Sequence, residues 1–267
     1  MDVTNAIVSS LGMTRYPGDP QRFPATRQSA IRSILSDDPQ LRAVGHRKIA
    51  EVYWRPVYTY ARLRWRLDTS EAEDLTQEFF LRCFDLDTLA AYDPAKARFR
   101  TFLRVCLDRF ATDQHRWRTR VKRGGGLLAF DFAAAELELA RTGDAATEPE
   151  LLFERAWMRH VMTLAVSRVR AELTARSKQQ HLEIFELFHL RDDDSEPPSY
   201  AAVAAQLGIS VVDVNNRLAY ARRAFRAAAV AILREITADE DEFRAEMRAL
   251  FGEDAADCKP TRGDDRD

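Results

Sequence analysis

The chain has 267 residues, of which 46% are hydrophobic and 31% are charged, and its formal net charge is −2. This length allows one large or two small cores, and the 10 glycines together with many Ala, Leu, Arg and Glu residues predict a mostly helical protein. No basic amino-terminal stretch precedes an apolar run, and no apolar segment approaches membrane-spanning length. We therefore expect a cytoplasmic protein without a membrane span. Three widely separated cysteines argue against a disulfide framework.

Residues 1–25 are rich in Gly and Pro and predict an irregular leader. Helical apolar spacing follows over about 26–36, 39–66, 70–84 and 99–120, so residues 26–122 are expected to form a first helical domain. Three consecutive glycines at 124–126 then end the helical pattern, because glycine carries a high backbone entropy cost in a helix.

Residues 123–148 are predicted to be a flexible linker with one weak element. Residues 149–236 are expected to form a second helical domain, and 237–267 an acidic carboxyl-terminal extension.

Charge is segregated: residues 96–123 contain ten Lys or Arg against two acids, whereas residues 235–267 contain twelve acids against five basic residues. This asymmetry indicates a surface for a polyanion in one part of the chain and an acidic tail in another, which packs on the basic helices or binds a partner.

Residues 199–226 predict a helix-turn-helix. The first helix ends at Gly208, which tolerates the backbone of a tight turn, and Ser210 stands where the amino-terminal cap of the next helix belongs. In that second helix, apolar residues at i, i+4, i+7 and i+11 form one buried stripe: Val214, Leu218, Ala221 and Phe225.

The opposite face of this second helix is polar and rich in arginine. Asn and Arg side chains match adenine and guanine edges in the major groove, where such a helix docks. The simpler alternative is a solvated basic face on an ordinary helical pair. The pattern favours DNA binding.

Two further segments carry unusual polar patterns. In residues 71–82, Gln77 and Glu78 lie beside apolar positions, a pattern that suits a docking surface for another protein. Residues 98–120 interleave arginines with aromatic residues, which suits phosphate contacts and base stacking. The histidines have no zinc-binding spacing, and no phosphate-binding loop, dinucleotide fingerprint or nucleophile elbow is present. We expect no catalytic activity, no metal and no cofactor.

Taken together, these segments resemble bacterial RNA polymerase sigma factors of the extracytoplasmic-function group. AEDLTQEFFLRCF is similar to that family's helix for binding the polymerase core, and ARFRTFLRVCLDRFATDQHRWRTRVKRGGG is similar to its promoter-melting and −10-reading helix. SYAAVAAQLGISVVDVNNRLAYARRAFR is similar to its fourth region, which reads the −35 element. KRGGG and LREITADEDEFRAEMRALF resemble a subgroup common in planctomycete-like bacteria.

The resemblance implies an all-α fold with two helical domains, a region 2-like bundle and a region 4-like helix-turn-helix domain, joined by a flexible linker that lies in the polymerase cleft. It implies that the protein binds the polymerase core and directs promoter recognition, DNA melting and transcription initiation. Polymerase contacts are expected from Asp74, Leu75, Gln77, Glu78, Phe79 and Arg82. DNA contacts are expected from Arg100, Arg104, Arg109, Arg116, Trp117 and Arg120 in the first domain, and from Asp213, Asn215, Asn216, Arg217, Tyr220, Arg222 and Arg223 in the second.

Asp213 differs from the rest of this set, because a carboxylate suits a cytosine amino group and repels phosphate. An anti-sigma factor or another regulator is a further partner that the resemblance leaves open. Two alternatives also stay open: a free-standing helix-turn-helix DNA-binding regulator that never contacts polymerase, and a helical adaptor whose basic helix binds acidic proteins.

Overall fold

The structure is a computed structural model that describes residues 29–82, 88–89, 91–115, 129–142, 148–190 and 198–252. Regular structure in these residues is helical, with no strand among them, which confirms the expected all-α class. The helices are α1 (Ala30–Ile34), α2 (Pro39–Arg64), α3 (Thr69–Arg82), α4 (Phe99–His115), α5 (Phe132–Thr142), α6 (Pro149–Ala175), α7 (Gln179–His189), α8 (Tyr200–Leu207), α9 (Val211–Ile236) and α10 (Glu240–Phe251). Within the described ranges, no helix combines the length and apolar character needed to cross a bilayer.

The chain divides into two compact units. The first unit contains the described residues from 29 to 160 together with Glu235–Phe243. The second unit contains Val161–Arg234 and the described residues after 243. The domain boundaries expected from the sequence stay a prediction.

Helix α2 forms the centre of the first unit, and it begins with a well-defined cap. The Asp38 carboxylate accepts a hydrogen bond from the Gln40 N–H at 2.8 Å, and Pro39 occupies the first helical position, where its missing N–H costs nothing. Gly45 lets α1 approach closely, because a Cβ atom there would lie 2.6 Å from the Ala30 carbonyl oxygen. Helices α1 and α2 are therefore held backbone to backbone at this point.

Aromatic side chains fill the core that α2 shares with α3 and α4. The Tyr53 and Phe99 rings meet edge to face with centroids 5.6 Å apart, and Phe79 meets Phe110 at 5.7 Å. Edge-to-face pairs of this kind add about 0.5–1.5 kcal/mol beyond the burial of their surface. This packing fixes which sides of α3 and α4 remain exposed.

Helix α5 lies within the segment that the sequence predicts to be a linker, and it packs against α2. The Arg62 guanidinium contacts the Glu136 carboxylate at 2.6 Å and 2.9 Å, and the Tyr58 hydroxyl donates to the same carboxylate at 2.6 Å. The Arg55 guanidinium contacts Glu138 at 2.6 Å. The hydrogen bond from Arg62 holds the pKa of Glu136 below its usual range, so the carboxylate is ionised at neutral pH.

The acidic segment after α9 returns to the first unit. The Glu242 carboxylate is 7% exposed and accepts hydrogen bonds from the backbone N–H groups of Phe99, at 2.5 Å, and of Ala238, at 2.7 Å. Burial raises the pKa of Glu242. Phe99 is the first residue of α4, so this carboxylate satisfies a donor that the helix cannot satisfy itself.

Candidate polymerase and nucleic-acid interfaces

Helix α3 presents one apolar face to the core of the first unit and one polar face to solvent. Its start is fixed by a reciprocal pair: the Glu71 N–H donates to the Asp68 carboxylate at 2.8 Å, and the Asp68 N–H donates to the Glu71 carboxylate at 3.2 Å. Such a pair satisfies two donors at the helix start, so it defines where α3 begins.

The polar face of α3 carries four of the six residues expected to contact polymerase. Asp74 and Arg82 are exposed, and Gln77 and Glu78 are partly exposed. The Glu78 carboxylate lies 2.6 Å from the Arg82 guanidinium, one helical turn later. Leu81 is 47% exposed on the same side and adds apolar surface. An exposed leucine bordered by charged and amide groups is a suitable protein docking surface.

The structure corrects the other two residues of that set. Phe79 is fully buried and Leu75 is 7% exposed, so both side chains belong to the core. Burying such a side chain contributes about 1.5–3 kcal/mol, and a surface partner could reach it only at that cost. Leu75 and Phe79 therefore position the polar face of α3 without being part of it.

Two of the arginines expected to bind DNA are also corrected, because α6 covers them. Arg100 is 3% exposed, its guanidinium lies 4.7 Å from the centre of the Trp157 ring, and it pairs with Glu154 at 3.5 Å. Arg104 pairs with Glu150 at 3.0 Å, and its side chain is 16% exposed. The partner carboxylates of Glu154 and Glu150 are 42% and 56% exposed, so the burial of the arginine side chains, more than the ion pairs, keeps them from a phosphate. Arg100 and Arg104 thus attach α6 to α4.

The rest of the basic segment is only partly described. Arg109 is exposed on α4 and remains available for a phosphate. Asp108 precedes it and accepts from the Tyr60 hydroxyl at 3.1 Å, which fixes α4 against α2. The remaining three residues expected here, Arg116, Trp117 and Arg120, lie outside the described residues.

In the second unit, α8 and α9 occupy the segment expected to form a helix-turn-helix, and residues 208–210 join them. Gly208 has φ 64°, in the left-handed region, and terminates α8 as the sequence predicts. The core between the helices contains five residues with at most 6% exposure: Ile184, Val203, Ala204, Val214 and Leu218. The predicted stripe is confirmed, because Ala221 and Phe225 are fully buried as well.

The first turn of α9 is closed by a capping box. The Asp213 N–H donates to the Ser210 hydroxyl at 3.0 Å, and that hydroxyl donates to the Asp213 carboxylate at 2.7 Å. These bonds confirm Ser210 as the cap. The Ser210 hydroxyl hydrogen bond lowers the pKa of Asp213, so this carboxylate has a capping role, and its expected contact with cytosine stays a prediction.

The exposed face of α9 carries the remaining expected DNA contacts. Asn215, Asn216 and Arg223 are exposed, so a partner can reach all three side chains. Two exposed apolar residues precede them: Val211 is 48% exposed and Val212 is 66% exposed. Apolar side chains in the first turn of such a helix can contact thymine methyl groups.

Two further arginines of α9 are oriented by neighbours on α7. The Arg217 guanidinium donates to the Gln180 side-chain carbonyl, and the Arg222 Nε donates to His189 Nε2 at 3.0 Å. His189 is 5% exposed, and its burial lowers the pKa of the imidazole to about 4, so it is a neutral acceptor at pH 7. The bonds restrict both arginines to the surface that α7 and α9 share.

Tyr220 is the centre of a cationic cluster. The sequence analysis predicted Tyr220 and Arg223 as DNA contacts but did not include Arg176 and Lys178. Lys178 Nζ lies 3.9 Å from the centre of the Tyr220 ring, and the Arg176 guanidinium donates to the Tyr220 hydroxyl at 3.0 Å. The Arg223 guanidinium is 5.9 Å from the same ring. The sequence signal for Arg176 and Lys178 was their position in the turn that precedes α7, but only the fold brings that turn beside α9.

Residues 49–121 match the family model for sigma-70 region 2, so this part of the chain is similar to that region of sigma-70 factors. The matched residues include α3, most of α2 and all of α4. Neither a curated protein nor a solved structure matches the chain.

Proposed function

We propose that this chain is a sigma factor of the extracytoplasmic-function group, in the subgroup with planctomycete-like features, that binds the RNA polymerase core and directs transcription initiation. The observation that carries this proposal is the coexistence of a sigma-70 region 2 match in the first unit with two helices in the second, α8 and α9, whose tight turn and buried stripe fit a helix-turn-helix. Sigma factors of this group need both parts, whereas a simple DNA-binding regulator needs only the second.

In this proposal, the polar face of α3 binds the polymerase core. Asp74, Gln77, Glu78 and Arg82 supply polar contacts around the exposed Leu81. Paired polar groups at the rim and an apolar residue at the centre match the general anatomy of protein interfaces. The core residues Leu75 and Phe79 hold α3 in place.

Promoter DNA is contacted by both units. Arg109 on α4 contacts a phosphate near the −10 element, together with the expected residues outside the described ranges. In the second unit, Asn215 and Asn216 read base edges of the −35 element, and Arg223 contacts phosphate. The protein performs no chemistry of its own and requires no cofactor. An anti-sigma factor or another regulator remains a further partner of this function.

Core capture and run-off transcription together test the proposal. The purified chain is mixed with bacterial core polymerase and a genomic template library, and transcripts are sequenced. We expect defined start sites that depend on the chain. Failure to produce any start site while the chain is folded would refute the proposal.

A matched pair of variants tests the polymerase interface. Gln77→Ala with Glu78→Ala removes two of the polar groups around Leu81, and we expect at least a tenfold loss of core capture. Gln40→Ala with Glu51→Ala removes the same side-chain types from exposed positions on α2 and should leave capture unchanged. Sequence-specific DNA binding without any capture of core by the wild-type chain would instead indicate a free-standing regulator.

A further inference from the structure

The turn between α6 and α7 carries two cations. Ser177 lies between Arg176 and Lys178 and has φ 55°, in the left-handed region. A left-handed residue just after a helix commonly ends it and sets the direction of the following turn. The turn is held by two backbone bonds, from the Ser177 N–H to the Thr174 carbonyl at 3.0 Å and from the Lys178 N–H to the Leu173 carbonyl at 2.8 Å.

This turn places its cations on the side chain at the centre of the helix-turn-helix surface. Lys178 Nζ lies over the Tyr220 ring at 3.9 Å, and Arg176 bonds to the hydroxyl of the same ring at 3.0 Å. The edge of the His181 ring also meets Tyr220, with centroids 5.2 Å apart. Tyr220 therefore connects the turn to the helix that carries the expected base contacts.

The electrostatic balance of the cluster is positive. Arg176, Lys178 and Arg223 lie around Tyr220, and Glu172 pairs with Arg176 at 3.3 Å. The positive charges affect the Tyr220 hydroxyl, because the hydrogen bond from Arg176, with the charge of Lys178, lowers the pKa of Tyr220. Burial, together with Lys178 and Arg217, lowers the pKa of His181.

We propose that Arg176 and Lys178 form a phosphate-binding element that fixes the register of α9 on DNA. Their ligand is the sugar–phosphate backbone beside the groove that α9 enters, not a base edge. Phosphate contacts position a recognition helix without reading sequence, so this element would set where Asn215 and Asn216 meet the bases. The inference rests on the proposed function, because it requires that α9 binds duplex DNA.

Salt dependence of DNA binding gives the first test. The full-length chain is titrated with a mixed-sequence duplex at several salt concentrations, and the logarithm of the association constant is plotted against that of salt. Each lost phosphate contact reduces the slope by about 0.9. We expect Arg176→Ala with Lys178→Ala to reduce the slope by about 1.8. Arg170→Ala should change it little, because Arg170 lies on α6, almost two helical turns before Arg176, and contacts Glu186 at 2.7 Å instead of Tyr220.

A second test uses the unmodified chain and so does not depend on a variant that folds. The sequence has lysines at positions 48, 96, 122, 178 and 259. Acetylation of these lysines is measured by mass spectrometry with and without the duplex. We expect Lys178 to be protected at least threefold, while Lys48, which pairs with Glu235 at 3.7 Å in the first unit, serves as the reference.

The outcomes separate this inference from the proposed function. The inference alone would be overturned if the wild-type chain initiates transcription and binds DNA with a steep salt slope, but two further results are negative. These results are an unchanged slope in the double variant and no protection of Lys178 from acetylation. A wild-type chain that neither binds DNA nor initiates transcription would overturn both. A reduced slope together with protected Lys178 would establish the element.

Discussion

His160 should make the first unit lose stability in acid. Its imidazole is 3% exposed, and the Trp54 ring meets it edge to face with centroids 5.8 Å apart. His160 Nε2 donates to the Glu51 carbonyl at 2.8 Å, whereas Nδ1 has no hydrogen-bond partner among the described residues. Protonation would place a second N–H and a positive charge in this buried site. Burial accordingly lowers the pKa of His160 from 6.5 to about 4.

The direction of the effect follows from proton uptake. The unfolded chain binds a proton at His160 below pH 6.5, whereas the folded chain binds it only near pH 4, so unfolding takes up a proton between these values. Stability from this group is therefore fully present above pH 6.5 and is lost as the pH falls toward 4. At about 1.4 kcal/mol for each pH unit between the two pKa values, the loss approaches about 3 kcal/mol.

The measurement compares the wild-type chain with His160→Gln. The glutamine amide can still donate to the Glu51 carbonyl but does not titrate. Urea unfolding is followed between pH 7.5 and 4, and the difference in the free energy of unfolding is plotted against pH, so that the titration of carboxylates common to both proteins cancels. We expect the wild-type chain to lose about 2–3 kcal/mol more than the variant over this range. Parallel pH profiles for the two proteins would refute the reasoning.

Three further predictions concern stability. Gly45→Ala should destabilise the first unit by more than about 2 kcal/mol, because the added Cβ would lie 2.6 Å from the Ala30 carbonyl oxygen. Gly45→Ser should destabilise it at least as much. A melting temperature equal to that of wild type would contradict this packing. Glu136→Gln should lower the free energy of unfolding in urea by about 1–3 kcal/mol, because it weakens the hydrogen bonds from Arg62. The same substitution should cost less free energy in a chain that already carries Arg62→Ala, since those bonds are then absent. Ser210→Ala should cost about 1 kcal/mol in thermal unfolding and weaken DNA binding, since it removes the cap of α9; an unchanged melting temperature would show that this cap contributes nothing.

Helices α8 and α9 and the turn between them were predictable because their signals are local. Gly208 ends α8 in the left-handed conformation, Ser210 caps α9, and Val214 and Leu218 are buried at the expected spacing. Each of these features depends on neighbours within one or two turns of the same helix. Short-range spacing therefore carried enough information to place this motif.

The corrected residues depend on contacts that are distant in sequence. Arg100 was expected on a basic surface, but Glu154 and Trp157, more than fifty residues later, cover it. A basic residue on a helix gives the same sequence pattern whether solvent or another helix covers its side chain. The contact between Arg62 and Glu136 was missed for the same reason, because the periodicity of α5 does not reveal which helix lies opposite.

The return of Glu235–Phe243 to the first unit constrains how the protein is made. On the ribosome, residues up to His160 emerge long before the carboxylate of Glu242, which accepts from the Phe99 N–H. The nascent first unit must wait for the second unit to be translated before the start of α4 gains this acceptor. A stop codon after α9 would thus remove part of the first unit's own architecture, even though the lost codons lie at the opposite end of the message.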